Sequence, residues 1–211
     1  VYRQCEQSKL LNNILVATDD QRIQEEVHFF RGNCIMTSPN HISGTDRVAE
    51  ACLPFENDDI IINIQGDEPT INPKQIDQLI EKLKEPNVKI GTLARSLQSD
   101  EDIRDPNLVK VVKDDQDRAL YFSRSVIPYN RNESQVPYFG HVGMYGFMNA
   151  TLQEITQLPP GQLEISESLE QLRWLEHGYS IHIIETVYDN IGVDTPEDLE
   201  KVKLLLKSIE H

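Results

Sequence analysis

The sequence predicts an α/β fold of three layers, built on a doubly wound, mostly parallel mixed sheet with an inserted hairpin or subdomain. Three features carry that prediction. Between residues 12 and 86 short apolar runs alternate with longer amphipathic ones, the pattern of successive strand–helix units joined by right-handed crossovers. Residues 60–64 form a β-branched run broken only by Asn63, as in a central parallel strand buried on both faces. In the second half, several strand candidates follow one another with only loops between them, so antiparallel additions to the sheet are expected.

Taken in order, residues 1–10 begin inside a helical pattern, 14–17 read as a strand, 20–30 as a helix capped by Asp20, and 34–36 as a second strand. A helix follows over 43–52. After the run at 60–64, Asn72 and Pro73 supply an N-cap and a first-turn proline, and Ile76, Leu79, Ile80 and Leu83 recur at helical spacing. Further strands are expected over 88–94, 108–112, 120–122, 141–148 and 181–187, and helices over 149–158, 166–177 and 195–209. No repeat or composition break divides the chain. Residues 1–211 are therefore read as one domain, with the inserted region at about 108–140.

Among the 211 residues, 35 acids face 20 lysines and arginines, a formal net charge of −15. Such a surplus of carboxylate repels polyanions, so nucleic acids and anionic membranes are set aside as partners. No apolar run approaches the roughly 18 residues of a membrane span and no targeting pattern is visible, so the expected compartment is the cytoplasm. Cys5, Cys34 and Cys52 are odd in number and form no C-x-x-C pair, which supports neither a disulfide framework nor a zinc site.

Chemistry concentrates in five places. Gln65, Gly66, Asp67, Glu68 and Pro69 leave the run at 60–64, and ligands of open α/β sheets bind outside the carboxyl ends of strands. A carboxylate there suits a hard cation, which needs only one or two protein oxygens besides substrate phosphates. A solvated turn is the plain alternative. Asp194 has a related setting, just ahead of a helix whose cap is Thr195 and whose first turn holds Pro196, Glu197 and Asp198. If the two strand ends are neighbours, Asp67 and Asp194 share one metal site. His141, Gly143 and Tyr145 alternate along one strand face, a polar floor for a hydroxylated ligand or else ordinary core residues. Arg124 ends another strand candidate and suits an anion, or a surface ion pair. Ser43, Gly44, Thr45, Asp46 and Arg47 open a helix whose N–H groups suit a phosphate or base edge. No P-loop or dinucleotide glycine fingerprint is present.

Read together, ILVATDD at 14–20, SGTDR at 43–47, INIQGDEP at 62–69, LVKVVKD at 108–114, ALYFSRSVIP at 119–128, HVGMYGF at 141–147, SLEQLRWLEHG at 168–178 and GVDTPEDL at 192–199 resemble the 3-deoxy-manno-octulosonate cytidylyltransferases. The resemblance runs through nearly the whole chain and implies a nucleotide-diphospho-sugar transferase-like fold. It implies transfer of the cytidylyl group of CTP to the anomeric hydroxyl of the acidic sugar Kdo, with release of pyrophosphate, for lipopolysaccharide synthesis. It places Mg2+ on Asp67 and Asp194. Gln65, Arg124, His141, Tyr145, Glu170 and Gln171 match positions that line the sugar pocket, Arg124 facing the sugar carboxylate. Ser43, Gly44, Thr45 and Arg47, with Gln65, match the nucleotide side. A homodimer is also implied, and residues 108–137 are the expected interface. Family members begin with a strand and a basic, glycine-containing loop, for which this sequence shows no counterpart before Val1. Alternatives are a related transferase for another acidic sugar, a non-catalytic binding domain, and a glycosyltransferase. The last is expected to carry a D-x-D pair, where this loop reads Gly66, Asp67, Glu68.

Overall fold

A computed structural model of the chain describes the backbone of residues 1–132, 136–193 and 195–209, with side chains to residue 205. Helix α1 (Tyr2–Cys5) leads into strand β1 (Val16–Thr18), helix α2 (Gln21–Phe29), strand β2 (Cys34–Met36), helix α3 (Gly44–Ala51), strand β3 (Ile60–Asn63) and helix α4 (Pro73–Leu83). Then come β4 (Ile90–Leu97), α5 (Asp100–Arg104), β5 (Lys110–Lys113), β6 (Ala119–Ser123) and β7 (Tyr138–Met148). The chain continues through α6 (Asn149–Ile155), α7 (Gln162–Glu167), α8 (Gln171–Glu176), β8 (His182–Glu185) and α9 (Pro196–Ile209). Strands β1 and β2 pair in parallel as a small sheet of their own. The main sheet runs β6-β5-β7-β4-β8, with β3 added on β7.

The expected helix starts are set by local chemistry. Asp20, Ser43 and Asn72 each accept a backbone N–H in the first turn of α2, α3 and α4, and Gln75 returns to the Asn72 N–H to complete a capping box. The apolar stripe of α4 is buried as its spacing requires: Ile76 and Leu79 are fully enclosed, Leu83 nearly so. Ile76 and Leu79, with Ile71, Leu93, Val142 and Met144, form the core on one face of the sheet. On the other face Trp174, Leu172, Leu152 and Ile155 pack on Ile90, Phe122 and Phe147. Helices therefore cover both faces, the expected three layers.

Two readings need correction. Strand β3 is not laddered to parallel neighbours: it pairs antiparallel with β7, Ile60 opposite Met148 and Asn63 opposite Tyr145, and only Asn63 is fully buried. It still runs in the same sense as β4, because β7 lies between them and is antiparallel to both. The helix expected over 166–177 is two helices. Ser168 sits at φ 54° and the Leu169 N–H reaches back to Glu164 O, a left-handed termination that ends α7 before α8 begins. The inserted region around 108–140 contributes the β5–β6 hairpin, which extends the main sheet beside β7.

Candidate active site

The carboxyl end of β3, the start of α3, one half of β7 and the α7–α8 break meet at one end of the sheet. Gln65 follows β3, and its Nε2 donates to Asn63 Oδ1 at 3.0 Å. Gly44, the first residue of α3, lies against that amide: a Cβ there would stand 2.9 Å from Gln65 Oε1. Thr45, next along α3, donates its hydroxyl to Glu170 Oε2 at 2.5 Å. Residues read separately as nucleotide-side and sugar-side are thus in direct contact. Ser43 does what its cap position requires, accepting the Asp46 N–H at 3.1 Å. Arg47 reaches the other sheet: its Nη1 donates to Thr37 Oγ1 at 2.7 Å and its Nη2 pairs with Asp19 at 3.2 Å, fixing α3 to the ends of β1 and β2.

The polar floor on β7 depends on a bulge. Thr92 of β4 faces Tyr145, and Leu93 faces Val142, so one step along β4 corresponds to three along β7. In a regular strand residues four apart are separated by about 13 Å. The two extra residues, Gly143 and Met144, shorten that separation until the His141 and Tyr145 rings stand 5.3 Å apart between centroids. Nothing lies within 4 Å of where a Gly143 Cβ would be, so the bulge opens onto free space. Phe122 and Trp174 close the sides of the floor by edge contacts to His141 and Tyr145 respectively. Burial lowers the His141 imidazole to about 3, so the ring is neutral at physiological pH. Burial, then the Glu170 carboxylate, raises the Tyr145 phenol well above its ordinary value against a smaller opposing contribution from Thr92. The Tyr145 Oη is buried and finds no hydrogen-bond partner of good geometry.

Arg124 is held by a carboxylate that sequence reasoning missed. Glu167 accepts the Ser123 hydroxyl at 2.6 Å and the Arg124 N–H at 3.0 Å, while its carbonyl accepts from Arg124 Nε at 2.9 Å. Burial raises the Glu167 carboxyl, but these donors and Tyr121 outweigh it and the net displacement is downward. Arg124 Nη1 donates to Pro106 O at 3.2 Å. The Ser168 break thus lies between two working acids, Glu167 on Arg124 and Glu170 on Thr45. Gln171, the first residue of α8, is buried. Lys110 is also enclosed, its Nζ donating to Asp105 O and Leu108 O at 2.7 and 2.6 Å, and burial lowers it. No local pattern marks Glu167 or Lys110 as special.

Asp67 is exposed, and its carbonyl accepts the Val193 N–H at 2.8 Å. Thr70 continues this seam: the Ile191 N–H donates to its Oγ1 at 2.6 Å. The segment leading to residue 194 therefore runs beside Asp67, although Asp194 itself lies outside the described residues. Thr195 and Asp198 cap α9 mutually, Thr195 Oγ1 donating to Asp198 at 2.7 Å. Among the described residues no group of three or more His, Cys, Asp or Glu is arranged to hold a metal. An exposed carboxylate at a strand exit is still the hard oxygen donor that a magnesium-like ion takes alongside water and phosphate.

This polar site, at the carboxyl end of β3 in a mixed, doubly covered sheet and beside a helix N-terminus, belongs to a nucleotidyltransferase, as the similarity to known proteins shows. Residues 1–183 match the family model described as Cytidylyltransferase. The chain is 50% identical to 3-deoxy-manno-octulosonate cytidylyltransferase of Fusobacterium nucleatum, over 96% of this chain and 82% of that protein. It is 48% identical to the protein of that name from Solibacter usitatus, over 99% and 83%. The solved structure of CMP:2-keto-3-deoxy-manno-octonic acid synthetase complexed with CTP superposes with a TM-score of 0.93 at 42% identity, covering 98% of this chain and 86% of that one. The chain belongs to the 3-deoxy-manno-octulosonate cytidylyltransferase family. A 4-diphosphocytidyl-2C-methyl-D-erythritol synthase from Anaerococcus prevotii, 14% identical with a TM-score of 0.64, shares the fold alone.

Proposed function

We propose that this protein transfers the cytidylyl group of CTP to the anomeric hydroxyl of Kdo, giving CMP-Kdo and pyrophosphate. The observation that carries this reading is the junction of Gly44 and Thr45 with Gln65 and Glu170, which sets a nucleotide-side helix start against a sugar-side wall. The backbone N–H groups at the start of α3 face an anionic nucleotide, Ser43 holding that turn open by capping it. His141 and Tyr145 form the floor under the sugar, with Gly143 leaving room above. Glu170 and Gln171 line the wall, and Arg124, its Nε and Nη1 fixed on carbonyls, faces the sugar carboxylate.

Cytidylyltransferases generally use a divalent metal. In this chain Asp67 and Asp194 would hold Mg2+, which when bound favours the deprotonated sugar hydroxyl and offsets charge at the α-phosphate. The remaining task of the protein is to place two anions in line and exclude water, consistent with a site that has no dedicated nucleophilic side chain. No helix among the described residues is long and apolar enough to cross a membrane. We place the enzyme in the cytoplasm as a homodimer joined around the β5–β6 region. The test is pyrophosphate release from CTP and Kdo with and without Mg2+. Turnover that survives Asp67→Asn unchanged would exclude the metal role.

A further inference from the structure

The floor of the site contains a hydrogen-bond arrangement that bears on which nitrogen of His141 carries hydrogen. Thr92 on β4 is fully buried. Its Oγ1 lies 2.8 Å from Met144 O, 3.3 Å from Val142 O and 2.9 Å from His141 Nε2. A hydroxyl has one proton and a carbonyl can only accept, so that proton is directed at the bulge carbonyls, Met144 O being the nearer. Thr92 Oγ1 must then meet His141 as an acceptor, and Nε2 bears the ring hydrogen. In the opposite tautomer the hydroxyl would have to turn to Nε2, leaving its lone pairs against Met144 O at 2.8 Å and Val142 O at 3.3 Å.

We propose that Thr92 is a positioning residue that locks His141 in the Nε2–H tautomer, so that Nδ1 is presented to the cleft as an acceptor for a sugar hydroxyl. The proposal rests on the reading of this cleft as the sugar pocket. Nδ1 has no hydrogen-bond partner among the described residues, and His141 as a residue keeps part of its surface uncovered although its imidazole is largely desolvated. Beside it the Tyr145 Oη is buried and lies within the influence of the same Thr92 hydroxyl, so it belongs to the floor under the ring. The bare Nδ1 therefore reads a hydroxyl that gives a hydrogen bond, as each hydroxyl of a polyhydroxylated ligand can. The bulge at Gly143 and Met144 serves this arrangement twice: it brings the rings together, and it turns the Met144 carbonyl onto Thr92.

The test combines nitrogen NMR of the histidine rings of the full chain with steady-state kinetics on CTP and Kdo. Wild-type His141 is expected to show a protonated Nε2 and a bare Nδ1. Thr92→Val is expected to give mixed tautomers and to raise the KM for Kdo about tenfold, the worth of one oriented hydrogen bond, with little change in the KM for CTP. Thr92→Ser, which keeps the hydroxyl, restores both readouts. A wild-type ring protonated at Nδ1, or a Thr92→Val protein that keeps the Nε2–H pattern and the wild-type KM, overturns the proposal. His141→Ala separates the two readings. If it leaves the KM for Kdo unchanged, the sugar-pocket reading fails even where the tautomer is as described.

Discussion

Thr45 and Glu170 are 125 positions apart in the chain and joined by a 2.5 Å hydrogen bond between hydroxyl and carboxylate. The bond connects the first turn of α3, held by the Ser43 cap, to the residue that opens α8. It ties α3 to α8 within the site, and Thr45 is almost wholly buried. A hydrogen bond to a charged group contributes about 1.5–3 kcal/mol. Thr45→Val is therefore expected to destabilise the fold by about that amount in urea unfolding, because it leaves a half-covered carboxylate without its donor. In a double-mutant cycle with Glu170→Gln the two effects should be clearly non-additive. Additive losses would show that the contact contributes nothing to stability.

Gly44 separates catalytic from structural effects. The nearest atoms an added methyl would meet at this position belong to the Gln65 amide, 2.9 Å from Oε1 and 3.1 Å from Nε2. Alanine is also the better helix former at an α3 position. Gly44→Ala is expected to leave the melting temperature unchanged or raised while displacing Gln65 from the cleft and lowering kcat/KM by about an order of magnitude, the effect of one misplaced contact. A parallel loss of activity and stability would contradict this view of Gly44.

The elements that sequence reasoning places correctly are those whose cause is local. Asp20, Ser43 and Asn72 cap the helices they precede, and the stripe of α4 faces the core as its period requires. The partner of β3 is not a local property. Nothing within residues 60–64 distinguishes a parallel neighbour from the antiparallel β7 that lies more than 80 positions away. The break at Ser168 is equally silent, since a serine in the left-handed region has no neighbouring glycine to announce it. In the site, His141 and Tyr145 were legible as one strand face, yet their ring contact depends on a bulge defined only by register with β4. Thr92 looks like any β-branched strand residue until that register sets it under His141, and Glu167 acquires its role only when α7 reaches β6.

Gly146 tests the packing beneath the site. It lies on β7 between β3 and β4, under α4, and a Cβ there would collide with Leu83 Cδ1 and stand 3.0 Å from Ile62 Cδ1. Leu83 is nearly enclosed and cannot withdraw into solvent. Gly146→Ala is expected to cost about 1–3 kcal/mol of stability by overpacking. Combining it with Leu83→Ala, which removes the obstructing methyls, should recover part of that loss relative to the sum of the two single variants. Two independent losses would mean that α4 shifts away from the sheet instead.

Stability at mildly acidic pH should report on His141. Its ordinary value is 6.5, and burial brings it to about 3 in the folded protein. Between those values the unfolded chain binds a proton that the folded one does not, so stability falls as pH drops from about 6.5 toward 3. The loss begins above the range in which the carboxylates titrate, where their own contributions have not yet been withdrawn. His182 acts in the same direction, since burial and then Lys82 also lower it. His141→Asn should therefore flatten, without abolishing, the slope of unfolding free energy between pH 6.5 and 5. His182→Asn should remove a further part. An unchanged slope in His141→Asn would mean that the ring is hydrated enough to charge in place, and that the cleft floor is wetter than its packing against Phe122 and Tyr145 implies.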